Sequence, residues 1–423
     1  MVAAKSTKGL SPLQELLAKA EKKFDINVGT MATITSEAKR ISTGNIAIDA
    51  ALGGGFPLGR SGEFYGPTQS GKTTLATQCL INTQRIIKLG GSPELGIGPN
   101  DVLIYADYEQ TMDIDYCVKL GLDPEHPSFQ IFQPDTLEQG ADFISAAMKT
   151  GEVRLAVVDS VAGMVPSAQA EADSVQKSLP AITARLMKTW GQNLNPILRE
   201  SQGSIIFINH ETEVMAMGGP ASYGPPPTTT PGGKALKYFA SIRLQFRHVK
   251  THKGPYVDPV TNEKKEIPVA TDVRVRTIKN KTFPPNREAV VRVRFGTGFD
   301  NFWTAMQVLI SNKYVTYNSG RYYFHKVIDD IPADWMTREA KETLGVRRPN
   351  IHGIDAVFAA ADTHTEWRDA LIELAKKIVA DNAEALKNVV PTTGEVVEEE
   401  EGESSEELDD ILAAETSGKR RSL

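Results

Sequence analysis

SGEFYGPTQSGKTTLATQCLINTQRII, residues 61–87, reads as three pieces in a row: a short apolar run, a glycine-bounded loop and a stretch of helical character. Inside it, GPTQSGKTT at 66–74 fits G-x-x-x-x-G-K-[ST], and the apolar strand before it and the helix after it are the context that gives this pattern its meaning. Gly66 and Gly71 let the backbone fold round an anion, so that amide N–H groups and the helix N-terminus face it. Pro67, Thr68, Gln69 and Ser70 form the loop between them. Lys72 is expected to reach the β- and γ-phosphates of ATP, Thr73 to set its hydroxyl on Mg2+, and Thr74 to complete the phosphate-binding first turn.

The same alternation continues outward from this stretch. DVLIYAD, FQIFQP, LAVVDS and SIIFINH are short apolar runs, separated by helical segments near 113–120, 137–149 and 180–200. Such spacing predicts βαβ units and an α/β fold with a mainly parallel twisted sheet flanked by helices, buried on both faces. SIRLQFRHVK, TDVRVRTIKNK and EAVVRVRF alternate apolar and basic residues with period two, and predict antiparallel strands that extend the sheet, each with a wet, positive face. Residues 11–24 predict an amphipathic helix with Pro12 at its first position, and INVGTMATI a short strand; so small a unit has no core of its own and must pack on something else. The organisation expected is therefore a helix-strand unit over 1–40, a core over 41–300, a small α+β domain over 301–390, and a tail over 391–423.

Composition qualifies the charge. The 423 residues carry a formal net charge of -6, but about eleven acidic residues and no basic ones lie in 395–415, which leaves the remainder roughly +5. The body is mildly basic and the acid is a tail, too polar to offset chain entropy by folding. Two cysteines, Cys79 and Cys117, neither with the neighbours of a metal site, fit a reducing cytosolic compartment. The first residues lack the apolar core of a signal peptide, and no run of about 18 apolar residues is present, so a soluble cytoplasmic protein without a membrane partner is expected.

Further chemistry can be placed by strand ends. Asp159 closes the apolar strand LAVVD, where a carboxylate would hold Mg2+ through its water shell. Hydrolysis of ATP also needs a group that orients or deprotonates water; DVLIYADYEQ offers Asp107 and Glu109, which period two leaves on the same face. His210, at the end of SIIFINH, is a candidate sensor of the γ-phosphate, and Lys279 and Lys281 share one strand face.

Several stretches together resemble the RecA-type homologous recombinases of bacteria and their phages: ISTGNIAIDAALGGGFPLGR leading into GPTQSGKTTL, then ADYEQTMDIDYCVKLGLD, QPDTLEQ, VVDSVAGMVP, FINH, TTTPGGKALKYFAS and KNK, in the family's order. The resemblance implies a RecA-like ATPase core and a DNA-dependent ATPase that polymerises on single-stranded DNA as a helical filament, pairs it with homologous duplex DNA and exchanges strands. It implies that Glu109, not Asp107, is the catalytic carboxylate, and that Asp113 and Tyr116 contact adenine. Lys279 and Lys281 would reach the ATP of the adjacent subunit, and the 1–40 unit would dock on a neighbouring core. Two DNA-contacting loops are implied at about 167–181 and 210–233, with Arg185 supporting DNA binding and the Gly232–Gly233 amides meeting phosphate. The chain departs from bacterial relatives at His210, where they carry Gln, and in a second loop that has Glu211 and Glu213 but no arginine. Lys234 and Lys237 would then supply more of the phosphate contact. These departures lean toward a phage-encoded member, and single-strand-binding or mediator proteins would be natural partners.

Two other classes share parts of this pattern. A ring-forming RecA-like motor or helicase uses the same core, but neither a zinc-binding module nor a primase-interaction domain is recognisable. A non-catalytic protein with a residual nucleotide pocket would not need Lys72, Thr73, Glu109 and Asp159 all intact. The charge split itself carries an expectation: deleting 391–423 strengthens DNA binding at low salt, with the gain fading as salt rises. Fluorescence anisotropy of labelled single-stranded DNA checks it, and unaltered affinity at low salt contradicts it.

Overall fold

The computed structural model describes residues 38–171, 180–213, 228–258, 261–324 and 350–387. The expected helix over 11–24, the strand after it and the tail over 391–423 lie outside these residues, as do 172–179 and 214–227 of the two expected loops. The chain divides into Met1–Lys39 and Arg40–Leu423, and the architecture below belongs to the second unit.

A short antiparallel pair, β1 (Arg40–Ile41) and β2 (Phe56–Pro57), brackets helix α1 (Ile46–Leu52), capped by Asn45, whose side chain accepts from the Ala47 and Ile48 amides. Strand β3 (Ser61–Gly66) leads into α2 (Lys72–Lys88), so the helix begins at the residue the motif requires. Then follow β4 (Val102–Asp107), α3 (Ile114–Leu120), β5 (Phe129–Phe132), α4 (Leu137–Lys149), β6 (Val153–Asp159), α5 (Ser167–Ala170), α6 (Pro180–Ser201) and β7 (Ser204–His210). Strands β8 (Thr212–Glu213) and β9 (Thr228–Thr229) pair with each other, so the second expected loop leaves and returns through a short ladder. Helix α7 (Ala235–Phe239) precedes the long strands β10 (Ile242–Val257) and β11 (Lys264–Asn280), then β12 (Glu288–Arg294) and β13 (Gly298–Phe299).

Among the described residues these form a nine-stranded sheet, ordered β13-β12-β11-β10-β3-β7-β6-β4-β5. The strands from β5 to β10 in that order are parallel, and β11, β12 and β13 join antiparallel. The apolar runs are continuous because each strand serves two cores. Leu155, Val157, Ile206 and Ile208 face α2, whereas Ala156, Val158, Ile205 and Phe207 face the side holding Met187, Trp190 and Leu194 of α6. The runs that alternate with basic residues do extend the sheet, with two corrections. β10 pairs parallel with β3 and is an interior strand, so its Arg243 is not wet: it is 6% exposed and its Nε lies 2.6 Å from Glu63. Arg292 of β12 is likewise buried, 8% exposed against Asp272, and the partly exposed arginines, Arg247 on β10, Arg274 and Arg276 on β11 and Arg294 on β12, are each paired with a carboxylate.

The remaining described residues form a third core. Helix α8 (Asn301–Ser311), the sheet of β14 (Val315–Asn318), β15 (Arg321–Phe324) and β16 (Asn350–His352), and helices α9 (Ile354–Thr363) and α10 (Thr365–Lys387) pack round Phe302, Met306, Leu309, Trp367 and Leu371, with Ile46 of α1 joining them. Between α2 and β4, the long linker closes into a compact turn: Ser92 bridges Ile97, and Asp101 accepts from the Gly98 amide at 2.7 Å and from Arg154 at 2.5 Å.

Candidate nucleotide site and nucleic-acid face

Register explains why the chemistry collects at one edge. Gly66 pairs with His210 and Asp107 with Asp159, so the ends of β3, β7, β4 and β6 all stop at the C-terminal side of the parallel sheet, where such folds hold ligands. There a cavity of about 650 Å³ is lined by the loop Thr68–Thr74 and by Glu109, Asp113, Tyr116, Asp159 and His210. Gly66 and Pro67 do not line it; they carry the chain from the end of β3 into the loop. A Cβ at Gly66 would lie 2.4 Å from the Phe246 carbonyl oxygen, so only glycine lets the loop leave β3 beside β10.

Lys72 is almost fully buried, and its ammonium donates to the carbonyls of Gly66 (3.1 Å) and Pro67 (2.5 Å), within its own loop. Burial pushes its pKa down to about 8, while Asp159, Glu109 and Glu211 pull the other way. Thr73 Oγ1 donates to Asp159 Oδ2 at 3.0 Å, and the Tyr105 hydroxyl donates to the same oxygen at 2.7 Å. Burial raises the Asp159 carboxyl above its ordinary value; those two hydrogen bonds oppose the rise, and nearby Glu109 and Asp107 add to it.

The two candidate carboxylates separate in space. Asp107 is buried and accepts from the Thr111 and Met112 amides at 3.3 and 3.2 Å, capping the turn after β4, and it does not line the cavity. Glu109 does line it: Ser160 donates to its carboxylate in a close hydrogen bond, and His210 Nε2 lies 3.4 Å from the same oxygen. Asp113 accepts from the Tyr116 amide at 2.9 Å and so caps α3, which presents the Tyr116 hydroxyl 3.1 Å from Thr74 Oγ1.

A tightly buried lysine beside an anion site makes a pH prediction. The folded pKa of about 8 lies below the ordinary 10.5, so the unfolded chain binds more protons between those values, and this group's contribution to stability rises with pH there. Nucleotide affinity runs the opposite way, because phosphates select the charged form. ADP affinity is expected to hold up to about pH 7.5 and to fall roughly tenfold by about pH 9, with proton uptake on binding. Calorimetric titrations in two buffers of different ionisation enthalpy check this; affinity that stays flat through pH 9 contradicts it.

The expected DNA residues fall elsewhere. Gly232 and Gly233 sit in the turn before α7, and a Cβ on Gly233, at φ +68, would meet the Ala184 Cβ at 2.9 Å. Gly233 is thus also required for α7 to approach α6. Arg185 and Lys234 line a second cavity of about 520 Å³ between these helices, together with Lys188 and Tyr238, whereas Lys237, on α7, does not line it. Glu211 does not add loose negative charge: it is held by both guanidinium nitrogens of Arg247, one at 2.7 Å and the other closer.

Lys279 and Lys281 do not line the nucleotide cavity of their own chain. Lys279 Nζ donates to the carbonyls of Lys237 (2.8 Å) and Tyr238 (2.9 Å) at the end of α7, and burial, then Lys281 and Arg243, push its pKa down to about 8. Sequence reasoning missed Tyr105, Ser160, Pro268, Arg294, Phe295 and Gly296, all but Ser160 lining the nucleotide cavity. An aromatic next to glycine at the end of a basic strand, Phe295-Gly296, was the available signal for the last two.

With this geometry in place, the sequence profile of the RecA N-terminal domain matches residues 12–300. The chain belongs to the RecA family. "Protein RecA" of Solidesulfovibrio magneticus is 33% identical over 363 residues, covering 86% of this chain and 87% of that protein. "Protein RecA" of Nocardia farcinica is 34% identical over 319 residues, 74% of this chain and 82% of its own. This RecA-family recombinase therefore spans most of the length of both relatives. Among the described residues no helix is long and apolar enough to cross a membrane, and no group of three or more His, Cys, Asp or Glu is placed to hold a metal ion.

Proposed function

We propose that this RecA-family chain is a cytoplasmic DNA-dependent ATPase that polymerises on single-stranded DNA as a helical filament and exchanges strands with homologous duplex. What carries this reading is the end of β7. Consecutive residues there, His210 and Glu211, connect the cavity carboxylate Glu109 on one side with Arg247 on the other, at the root of the segment that leads to Gly232–Gly233.

The residues suit ATP with Mg2+. Among the described residues the Lys72 ammonium is bound to carbonyls of its own loop, and charged phosphate oxygens are better partners for it than neutral carbonyls. Thr73 and Asp159 would hold Mg2+, the latter through water, and the ion would neutralise phosphate charge. Glu109 receives the proton of the attacking water, Ser160 and His210 fix its carboxylate, and Asp113 and Tyr116 border the adenine. His210 reports the γ-phosphate to the loop that follows it. Arg185, Lys234, Lys237 and the Gly232 and Gly233 amides meet DNA phosphates, so that base pairing and not side chains selects the partner strand. Lys279 and Lys281 reach the nucleotide of the next protomer, and in doing so Lys279 exchanges the carbonyls at the end of α7 for phosphate.

Light scattering of the full chain tests the assembly. With both ATP and single-stranded DNA, particles are expected whose mass grows with DNA length, and a labelled strand is expected to pass into homologous duplex. A particle of fixed mass, independent of DNA length, favours a ring-forming motor and contradicts the filament.

A further inference from the structure

Strand β12 carries two arginines on one face, Arg292 and Arg294, and both grip the third core. Arg292 is buried, bonds both oxygens of Asp272 (2.7 and 3.1 Å), and lies 4.6 Å from the Trp303 ring centroid. Arg294 Nε donates to Asp300 at 2.6 Å, and its guanidinium lies 5.0 Å from the ring of Phe358 in α9. Asp300 is also the cap of α8, accepting from the Trp303 amide at 2.8 Å. Phe358 packs edge-on against Phe302 of α8, which in turn meets Trp367 of α10.

The two arginines differ in what could move them. Arg292 is enclosed and doubly bonded. Arg294 is about half exposed, makes one ion pair, and is itself part of the cavity wall. Directly after it, Phe295 and Gly296 complete that wall, with the Phe295 amide bonded to Val269 at 3.0 Å. One short turn thus separates the cavity from the packing of α8, α9 and α10.

We propose that Arg294 is a positioning residue that ties the mouth of the nucleotide cavity to the C-terminal helices. Held on Asp300 and Phe358, it fixes the turn that presents Phe295 to the cavity. A nucleotide that orders this turn in turn holds α9 against β12. The coupling is reciprocal: whatever the nucleotide adds to the Arg294–Phe358 contact, loss of that contact removes from nucleotide affinity. This inference rests on the reading of the cavity as a nucleotide site.

The test uses the full-length protein, ADP with Mg2+, and two readouts: ADP affinity, and hydrogen exchange of residues 354–363 with and without ADP. Phe358→Leu removes the ring without touching the cavity, Arg294→Leu removes the cation, and Arg294→Lys keeps the charge but not the planar stacking. Both leucine variants are expected to weaken ADP binding by about fivefold, a typical coupling between sites, and the lysine variant by less. ADP is expected to slow exchange in 354–363 of the wild type but not of Arg294→Leu. Should that variant fold poorly, Phe358→Leu and Arg294→Lys carry the comparison. ADP affinity within about twofold of wild type in Phe358→Leu and Arg294→Leu, or wild-type exchange in 354–363 that ADP leaves unchanged, overturns the coupling while the nucleotide site stands. A wild type that binds no ADP overturns both.

Discussion

Glu109→Gln is expected to lower DNA-stimulated ATP turnover by about 10²- to 10⁴-fold, the range for loss of a general base, while ADP affinity stays close to wild type. Glutamine keeps the size of the side chain and can still accept from Ser160, but it cannot take a proton. Because Asp107 is already occupied by the Thr111 and Met112 amides, it is not placed to substitute. The effect should therefore appear in kcat with little change in KM, the mark of an interaction needed in the transition state alone. Turnover equal to wild type in Glu109→Gln removes this residue from the chemistry.

The second large effect is on stability. Glu63 is fully buried in β3 and has two partners: Arg243 at 2.6 Å and Asn209 at 2.9 Å. Arg243→Met leaves a carboxylate without its cation and is expected to cost about 3–5 kcal/mol, the range for breaking one partner of a buried ion pair. The double variant Glu63→Gln with Arg243→Met is expected to recover much of that loss, since the uncompensated charge is gone. Chemical denaturation of both variants measures it. A loss below about 1 kcal/mol in Arg243→Met would mean that water or a shifted side chain satisfies Glu63. Asn209 also donates to the Pro231 carbonyl at 3.1 Å and accepts from the His210 amide at 3.0 Å. The same substitution should therefore loosen both ends of the segment between 210 and 231, visible as faster hydrogen exchange at its flanks.

Much of the core was legible because its signals are local. The phosphate loop is contiguous, its strand and helix flank it, and Asp159 follows four apolar residues on a strand whose two faces both need apolar side chains. The choice between Asp107 and Glu109 was not legible from period two, since it depends on how the chain turns after β4. Arg243 misled for a related reason: alternation marks a strand with two unlike faces, but only strand order shows that a basic residue faces a buried glutamate rather than water. Tyr105 and Phe295 were missed because their roles depend on elements distant in sequence, β6 and the β10–β11 hairpin, which strand pairing brings beside them. Lys279 was singled out for a reach toward a neighbour, and within one chain its ammonium closes the end of α7.

The central claim, that nucleotide chemistry in this cavity is governed by DNA, is tested most directly by the steady-state ATP hydrolysis rate of the full-length protein with Mg2+, measured with and without single-stranded DNA at low salt. Hydrolysis is expected to be slow alone, to rise by at least about tenfold on adding DNA, and to lose that rise as salt screens the phosphate contacts. A rate that is the same with and without DNA would contradict it.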